Sequence, residues 1–251
     1  MQQMYRYILS FTILVSFCVQ GFSQQAATED AGVLYRHEGG VGFILHTTGF
    51  GINYRNGKHL TGYKKRMLEI DLVTMKHPKE VRTISQFSDN NKSFVYGKVN
   101  SLLVLRGGIG LQNIIYRKEI EGNVEVRYSF YGGATFGFAK PVFLQILHAS
   151  SDPYKPDIAI EKYDPEKHRL DNIYGKAPFG YGLQYTVVHP GVYAKAAVSF
   201  DWETQEDKLR SLEIGVAADY YPSPIKLMSY NKAKPVFVTI YANILFGRKW
   251  N

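Results

Sequence analysis

The stretch GVYAKAAVSFDW, residues 191–202, places Val192, Ala194, Ala196, Val198, Phe200 and Trp202 on one face and Tyr193, Lys195, Ala197, Ser199 and Asp201 on the other. Strict alternation of this kind specifies a β-strand with two unlike faces. The pattern recurs. LEIGVAADY (212–220), VEVRYSFYGGATFGF (124–138), SLLVLRGGIGLQ (101–112) and MLEIDLVT (67–74) alternate in the same way, and GVGFILHT, FGINYR and VFVTIYANILF carry weaker copies. These give eight expected strands, at 38–46, 49–56, 64–76, 98–112, 124–139, 191–202, 211–221 and 235–247, and no amphipathic helix of comparable clarity. The chain therefore reads as all-β.

What the apolar face meets is decided by the opposite face. In a soluble sandwich the face away from the core meets bulk water and is crowded with long solvated side chains. Here that face is mostly Gly, Ala, Ser, Thr and Tyr, with sparse charges of both signs: Glu69, Asp71, Arg106, Arg127, Lys195, Glu213 and Asp219. Small residues and opposite charges suit a narrow lumen, where the charges are expected to pair as a structural network. The apolar face carries aromatic residues, including Tyr54, Phe138, Trp202 and Tyr220, as a membrane girdle requires.

The connections also alternate in length. The links GKHLTGY, NIIYRKEIEGN and ETQEDKLR are short, whereas 77–97, 140–190 and 222–234 are long; the Thr47–Thr48 link is an exception. Short turns at one end and long loops at the other predict a single closed antiparallel transmembrane β-barrel of about eight strands over residues 38–251, with short periplasmic turns and long extracellular loops. Eight strands enclose little more than their own side chains, so a filled interior is expected. The 19 Tyr, 15 Phe and 23 Gly of the 251 residues accord with this.

Residues 1–23 read as a secretory signal. Arg6 gives the positive start, residues 7–19 the apolar run, and Gly21 and Ser23 the small residues before a cleavage site after Ser23. Residues 24–37 would then be a short periplasmic segment. Cys18, the only cysteine, lies within that signal and follows Phe17 rather than a small residue, which argues against lipidation. A mature chain without cysteine has neither disulfides nor a cysteine zinc site. With the signal and its Arg6 removed, 29 Lys and Arg stand against 22 Asp and Glu, a net charge of +7. The expected anionic neighbours are outer-membrane lipid and lipopolysaccharide, not nucleic acid.

No cofactor or metal site is expected. Gly57–Gly62 lacks the Lys-Ser/Thr of a phosphate loop, and Asn113 stands where a third glycine would follow Gly108 and Gly110. His37, His46, His59, His77, His168 and His189 show no ligand spacing, and Asn91–Ser93 is an incidental sequon. The sharper motif is HASSDPYKPD, residues 148–157. His148 and Ser150 share a face of an extended segment, in phase with Val142, Leu144 and Ile146 on the lipid side, with Asp152 or Glu161 available to orient the imidazole. The arrangement resembles the His-x-Ser of the lipid A deacylases, but Ser151 stands where that family has Asn. Segments rich in Ser, Asp and Pro are ordinary loops, so His148 and Ser150 are expected not to be catalytic.

HPGVYAKAAVSFDW, LEIGVAADYYP and the ending VTIYANILFGRKWN together resemble the small outer-membrane β-barrel proteins of Gram-negative bacteria, in particular those of the Bacteroidetes type. A terminal aromatic strand in that family resembles an insertion signal; here Trp250 is penultimate rather than last. The resemblance implies the architecture and not an activity. The outer segment 140–190, rich in Tyr, Pro and mixed charge, suits a protein partner and favours a non-enzymatic structural or interaction protein, or an accessory subunit of an outer-membrane secretion or assembly machine. The alternatives are a lipid-modifying enzyme or a narrow channel.

Overall fold

The computed structural model describes residues 35–85, 93–117, 124–148, 157–203, 205 and 207–251. The expected signal, Cys18, Asn91, Ser150 and Asp152 lie outside the described residues. The described strands run in chain order as β1 (His37–His46), β2 (Gly49–His59), β3 (Lys64–Met75), β4 (Arg82–Ile84), β5 (Ser93–Val95), β6 (Asn100–Tyr116), β7 (Glu125–Pro141), β8 (Phe143–His148), β9 (Asp157–Lys162), β10 (Ile173–Lys176), β11 (Val187–Asp201), β12 (Lys208–Ile225) and β13 (Lys234–Trp250).

Eight of these close into a barrel in the ring order β1-β13-β12-β11-β7-β6-β3-β2, every neighbour antiparallel. Closure leaves no unpaired edge, the condition for placing strands in hydrocarbon. Along β11, Tyr193, Lys195, Ala197, Ser199 and Asp201 are buried and point inward, while Val192 is 58% exposed and Val198, Phe200 and Trp202 also face out. β12 repeats this phase, with Val216 45% exposed and Ala217 buried. The oily faces thus form a continuous outer band and the polar faces line the lumen. This is the architecture of a transmembrane barrel of the outer membrane.

Several strands are longer than the alternation predicts. At the short-turn end β2 reaches His59, β6 reaches Tyr116, β12 starts at Lys208 and β13 ends at Trp250. On β2, β12 and β13 the outward positions there change from apolar to cationic, so the periodic signal stops before the hydrogen-bonded ladder does. At the opposite end β11 begins at Val187, and His189 and Pro190 lie within it. Pro190 sits where β11 pairs with β7 but not yet with β12, whose pairing starts at Val192, so on the β12 side this end of the strand is a sheet edge, where proline is tolerated.

The long segment after β7 differs most from expectation. Residues 143–176 contribute a three-stranded sheet in the order β10-β8-β9, and β4 and β5 form a second small hairpin. Phe94, Leu144, Ile146, Tyr163 and Ile173 are buried together as a separate apolar core, with Tyr96, Val99 and Val142 against it. Leu144 and Ile146 therefore do not face lipid, as their alternation suggests, but the inside of a folded cap. The chain leaves the barrel ladder at Val142, and β8 pairs with β9 and β10 instead.

Candidate functional site

The lumen is filled in tiers. Nearest the short turns, Lys65 Nζ lies 2.6 Å from Glu38 Oε2, and Arg127 Nη2 lies 2.8 Å from Asp201 Oδ2 while its Nε pairs with Glu125. In the middle, Arg55 donates through Nη1 and Nη2 to the two oxygens of Glu213, at 2.5 Å each, and through Nε to Glu69 at 2.9 Å. Lys195 Nζ lies between Glu69 and Asp71, at 2.8 and 3.0 Å. The Tyr241 hydroxyl donates to Glu213 at 2.6 Å and Ser199 to the same carboxylate at 3.0 Å. Towards the long-loop end Arg106 grips Asp219 with two bonds of 2.8 and 2.7 Å. Burying such charges is unfavourable unless each is paired and hydrogen-bonded, and here the partners come mostly from strands that are not adjacent in the ring, so the pairs cross the lumen.

Aromatic rings fill the remaining space. Lys195 Nζ lies 4.8 Å from the centroid of Tyr241 and 5.3 Å from that of Tyr131, and Arg55 lies 5.0 Å from Tyr131, which places cations over ring faces. Two glycines of β6 make the room. A Cβ at Gly110 would run into the Tyr131 ring, and one at Gly108 would meet the Tyr193 hydroxyl and the Gly132 carbonyl. Above Arg106 the interior becomes apolar: Val73, Val104, Tyr221, Ile225, Leu227 and Met228 are buried in one cluster. The charged tiers and this apolar cluster lie within the barrel interior.

All seven charges singled out in the sequence, Glu69, Asp71, Arg106, Arg127, Lys195, Glu213 and Asp219, are buried in this interior. Glu38, Arg55 and Lys65 were missed, and Asp201 was placed on the polar face but not counted among the paired charges, although all four are buried and ion-paired. The signal for Arg55 lay in FGINYR, where Gly51, Asn53 and Arg55 share a phase opposed to Phe50, Ile52 and Tyr54.

His148 sits at the end of β8 in the cap, away from the barrel wall. Its Nε2 is 2.8 Å from Glu161 Oε1, and the other oxygen of Glu161 is 3.1 Å from Nε2 of the buried His168. His168 Nδ1 accepts the Asp164 backbone N–H at 3.0 Å, so its Nε2 carries the proton and donates to Glu161. These two hydrogen bonds hold the Glu161 carboxyl below the ordinary value of 4.5. Of the two acids considered in the sequence, Glu161 is thus the one seen beside His148. Among the described residues, no group of three or more His, Cys, Asp or Glu is arranged to hold a metal ion.

No protein-family model matches the chain, and no curated protein matches it. Among solved structures it is similar to Ail, the attachment invasion locus protein of Yersinia pestis, at 9% identity over 86% of this chain and 100% of that one, with a TM-score of 0.40. It is also similar to Neisserial surface protein A, at 8% identity over 85% and 94% with a TM-score of 0.38, and to the outer membrane protein OprG from Pseudomonas aeruginosa, at 9% over 86% and 94% with a TM-score of 0.34.

Proposed function

We propose that this protein is a non-enzymatic, non-conducting barrel that anchors a folded cap at the cell surface for contact with a protein partner, as an accessory subunit of an outer-membrane assembly would. One observation carries the reading: the bore is occupied by ion pairs and an apolar plug, while the cap keeps its own core. Beside that core Phe179, Tyr181, Tyr185 and Tyr230 remain exposed, Phe179 at 72%. Exposed aromatic rings on an ordered scaffold are the composition of a contact surface rather than of a loop that merely spans strands. Lipopolysaccharide is the lipid expected around this end of the barrel.

The test is a gentle-detergent pull-down of the native protein beside a Phe179→Ser/Tyr181→Ser/Tyr230→Ser variant, with planar-bilayer recordings of both. We expect a stable co-purifying partner that the variant loses, and no unitary conductance. A steady conductance from the wild-type protein would replace this reading with the channel. The lipid-modifying alternative draws on the His148–Glu161 contact. It would be established by an acyl chain missing from the membrane lipids of cells overproducing the wild-type protein but retained with Ser150→Ala.

A further inference from the structure

The outer surface of the barrel carries a one-sided arc of positive charge at the short-turn end. Lys58 on β2, Lys64 and Arg66 on β3, Lys208 and Arg210 on β12 and Arg248 on β13 all take the outward phase of their strands, next to inward, buried Lys65, Leu209 and Gly57. Those strands are contiguous around the ring as β12-β13-β1-β2-β3. The corresponding outward positions on β6, β7 and β11 are Tyr116, Tyr128 and Phe200, which are exposed and uncharged. Among the described residues, no outward-facing position of the barrel strands is Asp or Glu. Arg210 pairs with Glu203 at 2.9 Å, but the other five have no ion pair among the described residues.

A groove opens in the middle of this arc. It measures about 470 Å³ and is lined by Gly39, Val41, Tyr54, Phe246, Arg248 and Trp250, with Gly40 and Gly247. Gly39 lets the Trp250 ring pack against the β1 backbone at the edge of the groove. The Trp250 indole lies so close that a Cβ at Gly39 would be 2.7 Å from its Cη2. Cross-strand register puts Gly39 opposite Arg248 on one side and Asn56 on the other, and Lys58 opposite Arg66. Of the arc's cations Arg248 lines the groove, and Lys58 and Arg66 stand on the adjoining strands β2 and β3.

From this geometry we infer that the arc is a binding site for an anionic glycerophospholipid of the inner leaflet. Its phosphate would sit among Arg248, Lys58 and Arg66 and an acyl chain would lie along Val41, Tyr54 and Phe246. The inference rests on the membrane-spanning reading of the barrel. Two physical facts select lipid over an acidic protein. The groove is continuous with the hydrocarbon-facing band, so in a bilayer an acyl chain reaches it without leaving its own environment. Each Lys or Arg near an anionic lipid surface contributes attraction on the order of 1 kcal/mol, and among the described residues only Arg210 of the arc is paired with a carboxylate.

The chain has two tryptophans, Trp202 and Trp250, and Trp250 lines the groove. A Trp202→Phe protein, folded into phosphatidylcholine vesicles, therefore reports on the groove through quenching of Trp250 by brominated acyl chains. We expect brominated phosphatidylglycerol to quench at an apparent affinity about fivefold above brominated phosphatidylcholine, the ratio equivalent to about 1 kcal/mol. The ratio should fall towards unity in a Lys58→Gln/Arg66→Gln/Arg248→Gln background and stay unchanged in Lys234→Gln, at the opposite end. Equal quenching by the two lipids in the wild-type background would overturn the site, as would a preference that survives the triple substitution. A wild-type protein that never becomes heat-modifiable in vesicles would instead overturn the membrane-spanning reading, and the site with it.

Discussion

Arg55 on β2 and Glu213 on β12 meet inside the lumen as a two-pronged ion pair, both contacts at 2.5 Å, although β1 and β13 lie between their strands in the wall. The pair therefore spans the interior, and with Glu69 on the neighbouring β3, Tyr241 on β13 and Ser199 on β11 it ties five strands through one guanidinium and one carboxylate. In a barrel the wall is held by backbone ladders. A cross-lumen contact of this kind additionally sets the interior's shape.

Because the pair is buried, removing one partner strands the other. We expect Arg55→Ala and Glu213→Ala each to destabilise the folded barrel by about 3 to 5 kcal/mol, with the double variant clearly less damaged than the sum of the singles. Urea titration of vesicle-inserted protein, read by the shift between heat-modified and folded bands, measures all three. Additive losses would mean that the two groups do not act on each other.

Outward-facing positions should respond to charge according to depth. Val216 lies in the apolar band opposite Ala196 and Ile240, so Val216→Arg should cost about 2 to 4 kcal/mol in the same titration. Trp202 follows the end of β11 at the interface, and Trp202→Arg should cost no more than about 1 kcal/mol. Equal costs would contradict the position of the band.

The cap has its own core, so it should be separable from the barrel. Leu144→Ala or Ile173→Ala removes a fully buried side chain and should loosen the cap by about 2 to 5 kcal/mol. Limited proteolysis of intact cells should then cut within residues 142–186 while the barrel still shifts on heating. Simultaneous loss of both would show a single cooperative unit.

Acid should act on the cap through Glu161. Its carboxyl is held below 4.5 by the His148 and His168 hydrogen bonds. The stability it contributes is thus complete above about pH 4.5 and declines as pH falls through the folded value, because protonation is then favoured in the unfolded segment first. Protease resistance of the cap should weaken below that pH in the wild type, and Glu161→Gln should flatten this limb of the profile. An unchanged acid limb in the variant would assign the sensitivity to another group.

The alternation of residues such as Val192–Trp202 and Leu212–Tyr220 determined the eight barrel strands, their phase and the membrane setting. Side chains in a strand alternate with a period of two, and a lipid exterior inverts the polarity expected of a soluble protein. The seven inward charges could be read the same way, since each breaks an otherwise small-residue face. What those charges touch was not legible: Arg55 meets Glu213 across the bore, 158 positions apart, through closure of the ring. Tertiary structure also decided the fate of Leu144 and Ile146. A two-faced strand has the same sequence whether its oily side meets lipid or a second core, and only the departure of the chain from the ladder at Val142, with β9 and β10 folding over β8, turned that side inward.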